Sequence, residues 1–430
     1  MMERREPIKV TEAIERVMQY GAAGGIEHIA LEQSMDRVLA EDVLADHDVP
    51  PFDRSPYDGY AIRSSDTCRA STENPIALSV IGHIGAGEVF ASTVGENQAV
   101  RIMTGGPIPV GCDAIIMLEL VEEVSEHKIC IKRKVKPNDN ISFQGEDTTK
   151  NAVIVRKGTR INPGIVALLA TFGYKQVPVA KKPTVGVIAT GSELLEVDEP
   201  LVPGKIRNSN SYMIMAQLER AGAKAIYFGQ FIDDLEVCYN QVNTAIEQVD
   251  FLITTGGVSV GDYDYLPEIY RRMGANVLFN KVGMRPGSVT TVAELAGKLL
   301  FGLSGNPSAC YVGFELFVRP VLQFFLGNPL AYNKAIQARL GSDFAKPNPF
   351  DRFVRGKLYF TEAQPVVTPI GLDKSNVVSS LGEADVLIVL PGGTRGYEQG
   401  SSVVALLLEY AEGDAVFLNN YQLKERQHGH

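Results

Sequence analysis

The residues best placed to do chemistry are carboxylates that recur beside glycine, serine or threonine in short polar strings. Glu193 stands in TGSELL, Asp233 and Asp234 in GQFIDD, and Asp262 and Asp264 in TTGGVSVGDYDY, while Asp58 and Asp147 lie upstream in PPFDRSPYDGYA and FQGEDTTK. Such groups cannot be packed together without cost unless cations or hydrogen-bond donors balance them. A divalent cation bridging to phosphate oxygens provides that balance, so the pattern makes a magnesium-assisted reaction at phosphate chemically natural. Each string also has a plain structural reading, because Asp and Ser cap helices and Asp-Gly forms ordinary turns.

The glycine-rich strings would bring backbone close to a ligand. Thr190, Gly191 and Ser192 follow the apolar run VGVIA, and Gly256, Gly257 and Ser259 follow VDFLI. Gly305, Asn306 and Ser308 sit in LSGNPSACY, where a proline at a helix start and free N–H groups would suit an anion. Lys281 and Arg285, in NKVGMRPGS, add two cations expected close to the same sheet edge. The match of Gly257-Val258-Ser259-Val260-Gly261 to the GxSxG hydrolase pattern carries little, because the only downstream histidines are His428 and His430 in the tail. Neither a GxxxxGK[ST] phosphate loop nor an early GxGxxG fingerprint occurs.

Positioning these strings requires a sheet. From Pro183 short apolar runs alternate with helical text: PTVGVIATG, SYMIMAQLERAGA, KAIYFGQF, LEVCYNQVNTAIEQ, VDFLITTGG, LPEIYRRMG, NVLFNKV, KLLFGLSG and a long apolar helix from Asn306. That rhythm predicts a multidomain α/β protein with a doubly wound, mostly parallel sheet, whose ligands bind outside the carboxyl ends of the strands. Between Pro50 and Glu146 the text turns to short β-like runs separated by Gly, Pro and Asn, predicting an inserted β-rich domain. The expected domains are 1–46 with 148–180 (small, mixed, linking), 47–147 (β-rich), 181–329 (α/β), 330–423 (C-terminal β) and a polar tail, 424–430. Helices are expected over residues 10–19, capped by Thr11, and over 31–43.

Bulk properties fit a folded globular protein. The 430 residues exceed what one hydrophobic core usually supports, and 45% hydrophobic with 21% charged residues is ordinary globular composition. A formal charge of -10 opposes nucleic-acid binding. Five scattered cysteines without a CxxC pair suggest a reducing compartment. With no signal-length or membrane-length apolar run, the expectation is a cytoplasmic protein without membrane contact.

In this order across nearly the whole chain, PPFDRSPYDGYA, RIMTGGPIP, QGEDT, TGSEL, TTGGVSVGDYDY, RPGS and SGNPSA resemble the molybdopterin molybdenumtransferase family, which includes bacterial MoeA and the C-terminal domain of gephyrin. The resemblance implies a homodimer of four-domain subunits, with the site shared between the α/β domain of one subunit and the β-rich domain of the other. It implies insertion of molybdate into adenylylated molybdopterin with Mg2+ and release of AMP. Carried onto this chain, the pattern points to Asp58, Asp147, Glu193, Asp234 and Asp264 as catalytic carboxylates, with Glu193, Asp234 and Asp264 as metal ligands. Thr104, Lys281, Arg285 and Ser308 match its binding positions. Molybdopterin adenylyltransferase and molybdoenzyme maturation proteins are the implied partners. Ser288-Val289, Ser304 and Tyr57 stand where many relatives carry lysine-proline, proline and methionine. The alternatives are the preceding adenylyltransferase step, which the β domains oppose, and a scaffold retaining this fold.

Overall fold

The computed structural model describes residues 6–408 apart from 86, 232–233, 258–264, 348 and 362–363. Residues 409–423 of the expected C-terminal β domain and the 424–430 tail lie outside the described residues. The chain separates into two compact units, one of Met1–His28, Asp36–Ala40 and Pro178–His430, the other of Ile29–Met35 and Glu41–Val177.

In the larger unit the α/β rhythm becomes a six-stranded sheet in the order Lys224–Phe231, Thr184–Thr190, Phe251–Thr255, Lys298–Leu303, Thr291–Leu295, Asn276–Phe279. The first four strands run parallel, and Thr291–Leu295 is antiparallel to both of its neighbours, Lys298–Leu303 and Asn276–Phe279. Both faces are buried, and alternation sorts side chains between them. Val185, Val187, Phe251, Ile253, Leu299 and Phe301 pack on one side with the helices Asn210–Arg220 and Pro307–Gly313. Ile188, Leu252 and Leu300 pack on the other with Leu235–Glu247 and Leu266–Met273. Each large apolar side chain buried this way contributes about 1.5–3 kcal/mol. The Thr291–Leu295 strand, not anticipated from sequence, forms a hairpin with Lys298–Leu303 across Ala296 and Gly297, both at positive φ.

The N-terminal helix spans Val10–Met18 and buries Val10, Ala13 and Val17 on the first face. Its cap is Lys9 without a side-chain bond, so Thr11 lies inside the helix rather than capping it. The expected helix over 31–43 does not form. Only the 3-10 turn Leu31–Gln33 appears, because Asp36 takes φ 63, a left-handed conformation that a helix interior excludes.

The long apolar helix runs from Pro307–Gly313 through a π turn at Phe314–Val318 into Arg319–Phe325. The π turn carries Glu315, whose side chain is 1% exposed and paired with Arg220. Gln217 Nε2 donates to it at 2.7 Å and Asn333 Nδ2 at 3.2 Å. Arg220 also donates to the Leu408 carbonyl at 3.1 Å, so one buried ion pair joins the α/β sheet's helices to the C-terminal segment.

That segment closes into a barrel. Strands Asp351–Phe360, Pro365–Pro369, Ala335–Leu340, Ser402–Leu407 and Val386–Leu390 are neighbours in this order, and Asp351–Phe360 pairs back onto Val386–Leu390. Leu340, Val367, Val386, Ile388, Leu390 and Ala405 fill it.

The smaller unit carries a six-stranded sheet, in the order Ala114–Met117, Gly59–Ile62, Gln98–Ile102, Ile76–Ile84, Lys128–Ile131, Val121–Ser125. Val43–Leu44 pairs with Val153–Val155, so chain preceding the sheet meets chain following it. The helix Pro163–Thr171 is capped by Asn162, whose side chain accepts from the Ile165 N–H at 2.9 Å.

Candidate active site

In the α/β sheet, the connection leaving Thr184–Thr190 leads to its neighbour Lys224–Phe231 on one side, whereas the connection leaving Phe251–Thr255, its other neighbour, leads to Asn276–Phe279 at the opposite edge. This reversal opens a crevice at the carboxyl ends of the two strands. Thr190 Oγ1 donates to the Thr255 carbonyl at 3.1 Å and ties the two strand ends together. Gly256 then turns away at φ +91, and its N–H donates to the Leu303 carbonyl at 3.0 Å. A Cβ there would stand 2.6 Å from the Thr190 carbonyl oxygen, so the approach requires glycine.

The crevice widens into a cleft of about 570 Å³. Its walls are the 190–194 turn, the 206–210 segment, Thr255 to Gly257, Val289 and the 304–307 turn. Of the binding residues expected from sequence, Thr190, Gly191, Ser192, Gly256, Gly257, Gly305 and Asn306 are together here. Glu193 is the lining carboxylate, exposed beside Gly191. Ser192 receives Lys205 Nζ on its carbonyl, and Gln230 Nε2 donates to the Gly191 carbonyl at 2.6 Å.

Other candidates are engaged elsewhere. Asp234 caps the helix Leu235–Glu247, accepting from the Val237 N–H at 2.9 Å, and does not line the cleft. Ser308 is fully buried; its Oγ donates to the Val377 carbonyl at 2.5 Å and its N–H to the Ser375 carbonyl at 3.0 Å. The Asn306 N–H donates to Ser304 Oγ at 3.2 Å. The free helix-start donors expected around SGNPSA are therefore occupied at 306 and 308, and Ser308 fixes the turn instead of offering a hydroxyl to the cleft. Lys281 and Arg285 are absent from the cleft walls, because Met284–Arg285 leaves the α/β sheet to pair with Asp351–Arg352 at the barrel. Asp233, Ser259, Asp262 and Asp264 lie outside the described residues.

In the smaller unit Asp58 and Thr104 are brought together. Asp58 Oδ1 accepts from the Thr104 N–H at 2.7 Å and from Thr104 Oγ1 at 2.9 Å. These donors, backbone first and with Arg101 assisting, hold its carboxyl below the usual range, so it is an anion at neutral pH. Asp147 exposes its carboxylate, while its N–H donates to the Val49 carbonyl at 3.0 Å. Its neighbour Glu146 accepts from Ser142 Oγ and the Phe143 N–H, which lower its pKa.

Sequence reading missed the KIRNSNS segment, whose Ile206–Arg207 strand pairs with Leu194–Leu195 and returns to the cleft as one wall. Asn210 Nδ2 donates to the Gly305 carbonyl at 2.8 Å. Asn208 Nδ2 donates to the Tyr227 hydroxyl at 2.8 Å, and that hydroxyl donates to Glu196 at 2.8 Å. Burial and Glu196 push the Tyr227 hydroxyl up to about 12, so it stays a neutral donor. The readable signal was a Pro-Gly turn at Pro203-Gly204 followed by consecutive asparagines and serines.

Among the described residues no group of three or more His, Cys, Asp or Glu side chains converges as a metal cage. One carboxylate in an open cleft still fits magnesium, which keeps several waters and commonly combines one or two carboxylates with substrate phosphates. No helix among the described residues is long and apolar enough to cross a membrane.

Comparison with known proteins agrees along the chain. Family models match residues 8–173 (MoeA N-terminal region, domain I and II), 186–323 (probable molybdopterin binding domain) and 337–408 (MoeA C-terminal region, domain IV). A molybdopterin molybdenumtransferase of Bacillus subtilis is 56% identical over 416 residues, covering 96% of this chain and 97% of the relative. One from Staphylococcus aureus is 50% identical over 409 residues, covering 95% and 97%. The crystal structure of a molybdopterin biosynthesis moeA protein from Pyrococcus horikoshii superimposes with a TM-score of 0.80 at 32% identity, covering 94% of this chain and 100% of that one. With matching fold and sequence along its length, this chain belongs to the MoeA family.

Proposed function

We propose that this chain is a molybdopterin molybdenumtransferase, which inserts molybdate into adenylylated molybdopterin and releases AMP as the last step of molybdenum cofactor biosynthesis. The observation that carries this reading is 56% identity to a relative of that name over 96% of the chain. The switch-point cleft supports it, with glycine turns for a large anionic substrate and Glu193 on its wall. Glu193, with Asp234 and Asp264 as further candidates, would hold Mg2+ carried in with substrate phosphates. When bound, magnesium polarises a phosphoryl oxygen and offsets its charge. The chain's own contribution is to orient: Gly256 lets the strand ends close up against Thr190, and Asn210 fixes the Gly305 turn on the cleft wall.

The reading extends to a cytoplasmic homodimer in which Asp58, Thr104 and Asp147 of one subunit complete the site of the other. Exposed apolar side chains support this, since Tyr57 at 46% and Met103 at 42% adjoin Asp58 and Thr104. Free cysteines suit a reducing compartment. Lys281 and Arg285 are kept as candidates for attracting anionic substrate, with molybdopterin adenylyltransferase as donor and maturation proteins as acceptors of the cofactor. Expression in a bacterium lacking its own molybdenumtransferase provides the test. Restored molybdoenzyme activity, lost with Glu193→Gln, is expected; no restoration by well-expressed protein sinks the proposal.

A further inference from the structure

Two of the residues lining the cleft carry charge, Glu193 and Arg207. The cations expected to serve this site, Lys281 and Arg285, do not reach those walls, and helix-start N–H groups at Asn306 and Ser308 are occupied. Arg207 is therefore the cationic residue of the described walls.

Arg207 is also held in position. Its Nε and Nη2 both donate to the Glu199 carbonyl, at 3.3 and 3.2 Å. The Glu199 loop is itself closed, because the Glu196 N–H donates to Glu199 Oε2 at 2.7 Å and the Glu199 N–H to the Glu196 carbonyl at 3.2 Å. Immediately after Arg207, the Asn208 N–H donates to the Leu195 carbonyl at 2.8 Å. The guanidinium is thus anchored along one edge, while Nη1 has no partner among the described residues. An arginine oriented in this way presents its remaining donors to an oxyanion without first losing its own rotamer freedom.

Resting on the functional reading above, we propose that Arg207 is a substrate-binding residue that recognises the phosphate of the adenylylated substrate. Molybdate is a tetrahedral oxyanion too, and the test separates the two.

The experiment measures AMP and adenosine binding by calorimetry, and half-saturation by molybdate in the full reaction, for the parent chain, Arg207→Gln and Arg207→Lys. Losing a charge-assisted bond to phosphate should weaken AMP about tenfold or more in Arg207→Gln. Adenosine affinity and molybdate half-saturation should remain unchanged, and Arg207→Lys should recover part of the loss. Unchanged AMP affinity in Arg207→Gln overturns the proposal while an active parent keeps the functional reading. Equal weakening of AMP and adenosine assigns Arg207 to loop structure and overturns it, as does a change confined to molybdate. A parent that neither binds AMP nor turns over fails the functional reading itself.

Discussion

Asp58 and Thr104, forty-six residues apart, meet through a pair of hydrogen bonds at 2.7 and 2.9 Å onto the same carboxylate oxygen. Adjacent strands explain the meeting, since Gly59–Ile62 and Gln98–Ile102 pair with Gly59 opposite Ile102. A DG turn and an MTGG turn far apart in sequence thereby form one anionic corner.

Because Asp58 is lowered from its ordinary value of 3.8, its contacts are fully formed above that value and are lost as pH falls through the lowered one. Thr104→Val removes the hydroxyl and keeps the N–H, so the Asp58 pKa should rise. In an activity profile the acidic limb should shift to higher pH, whereas Thr104→Ser should leave it in place. An unmoved limb in Thr104→Val contradicts a working role for this pair.

Gly256→Ala should damage both stability and turnover. At φ +91, with a Cβ 2.6 Å from the Thr190 carbonyl oxygen, the substitution should cost on the order of 1–3 kcal/mol. Denaturant unfolding measures it. A variant as stable and active as the parent shows that the turn is not a close approach.

Asp234 separates two roles by substitution. Asparagine caps a helix as well as aspartate, so Asp234→Asn should retain the melting temperature, whereas Asp234→Ala should lose about 1 kcal/mol. If its carboxylate also serves magnesium, Asp234→Asn should reduce turnover at least tenfold. Full turnover in that variant leaves Asp234 as a cap alone.

Removing one partner of the Arg220–Glu315 pair leaves the other charge buried or half-buried without balance. Glu315→Ala should therefore destabilise the chain by about 3–5 kcal/mol in chemical denaturation. A loss below 1 kcal/mol contradicts the assignment of this pair as the join between helix and C-terminal segment.

Much of this was legible in sequence wherever local pattern and tertiary environment agreed. The buried runs around Val185 to Ala189 and Phe251 to Thr255 have no polar face, and their glycine exits follow at once, so the switch-point site could be placed. Residues 31–43 misled because apolar spacing was helical while Asp36 adopts a left-handed turn, which spacing does not encode. Ser308 and Asp234 could be named but not assigned, because a hydroxyl or carboxylate that binds ligand has the same spelling as one that fixes a turn. Arg207 escaped notice because its place on the wall depends on a strand pairing only two residues long.

The most direct test combines purified chain, Mg2+, molybdate and adenylylated molybdopterin, following AMP alongside activation of an apo-molybdoenzyme. Molybdate-dependent release of one AMP for each cofactor made, abolished in Glu193→Gln, is the expected result. Pyrophosphate released from ATP and molybdopterin, with no molybdate-dependent AMP, would contradict it.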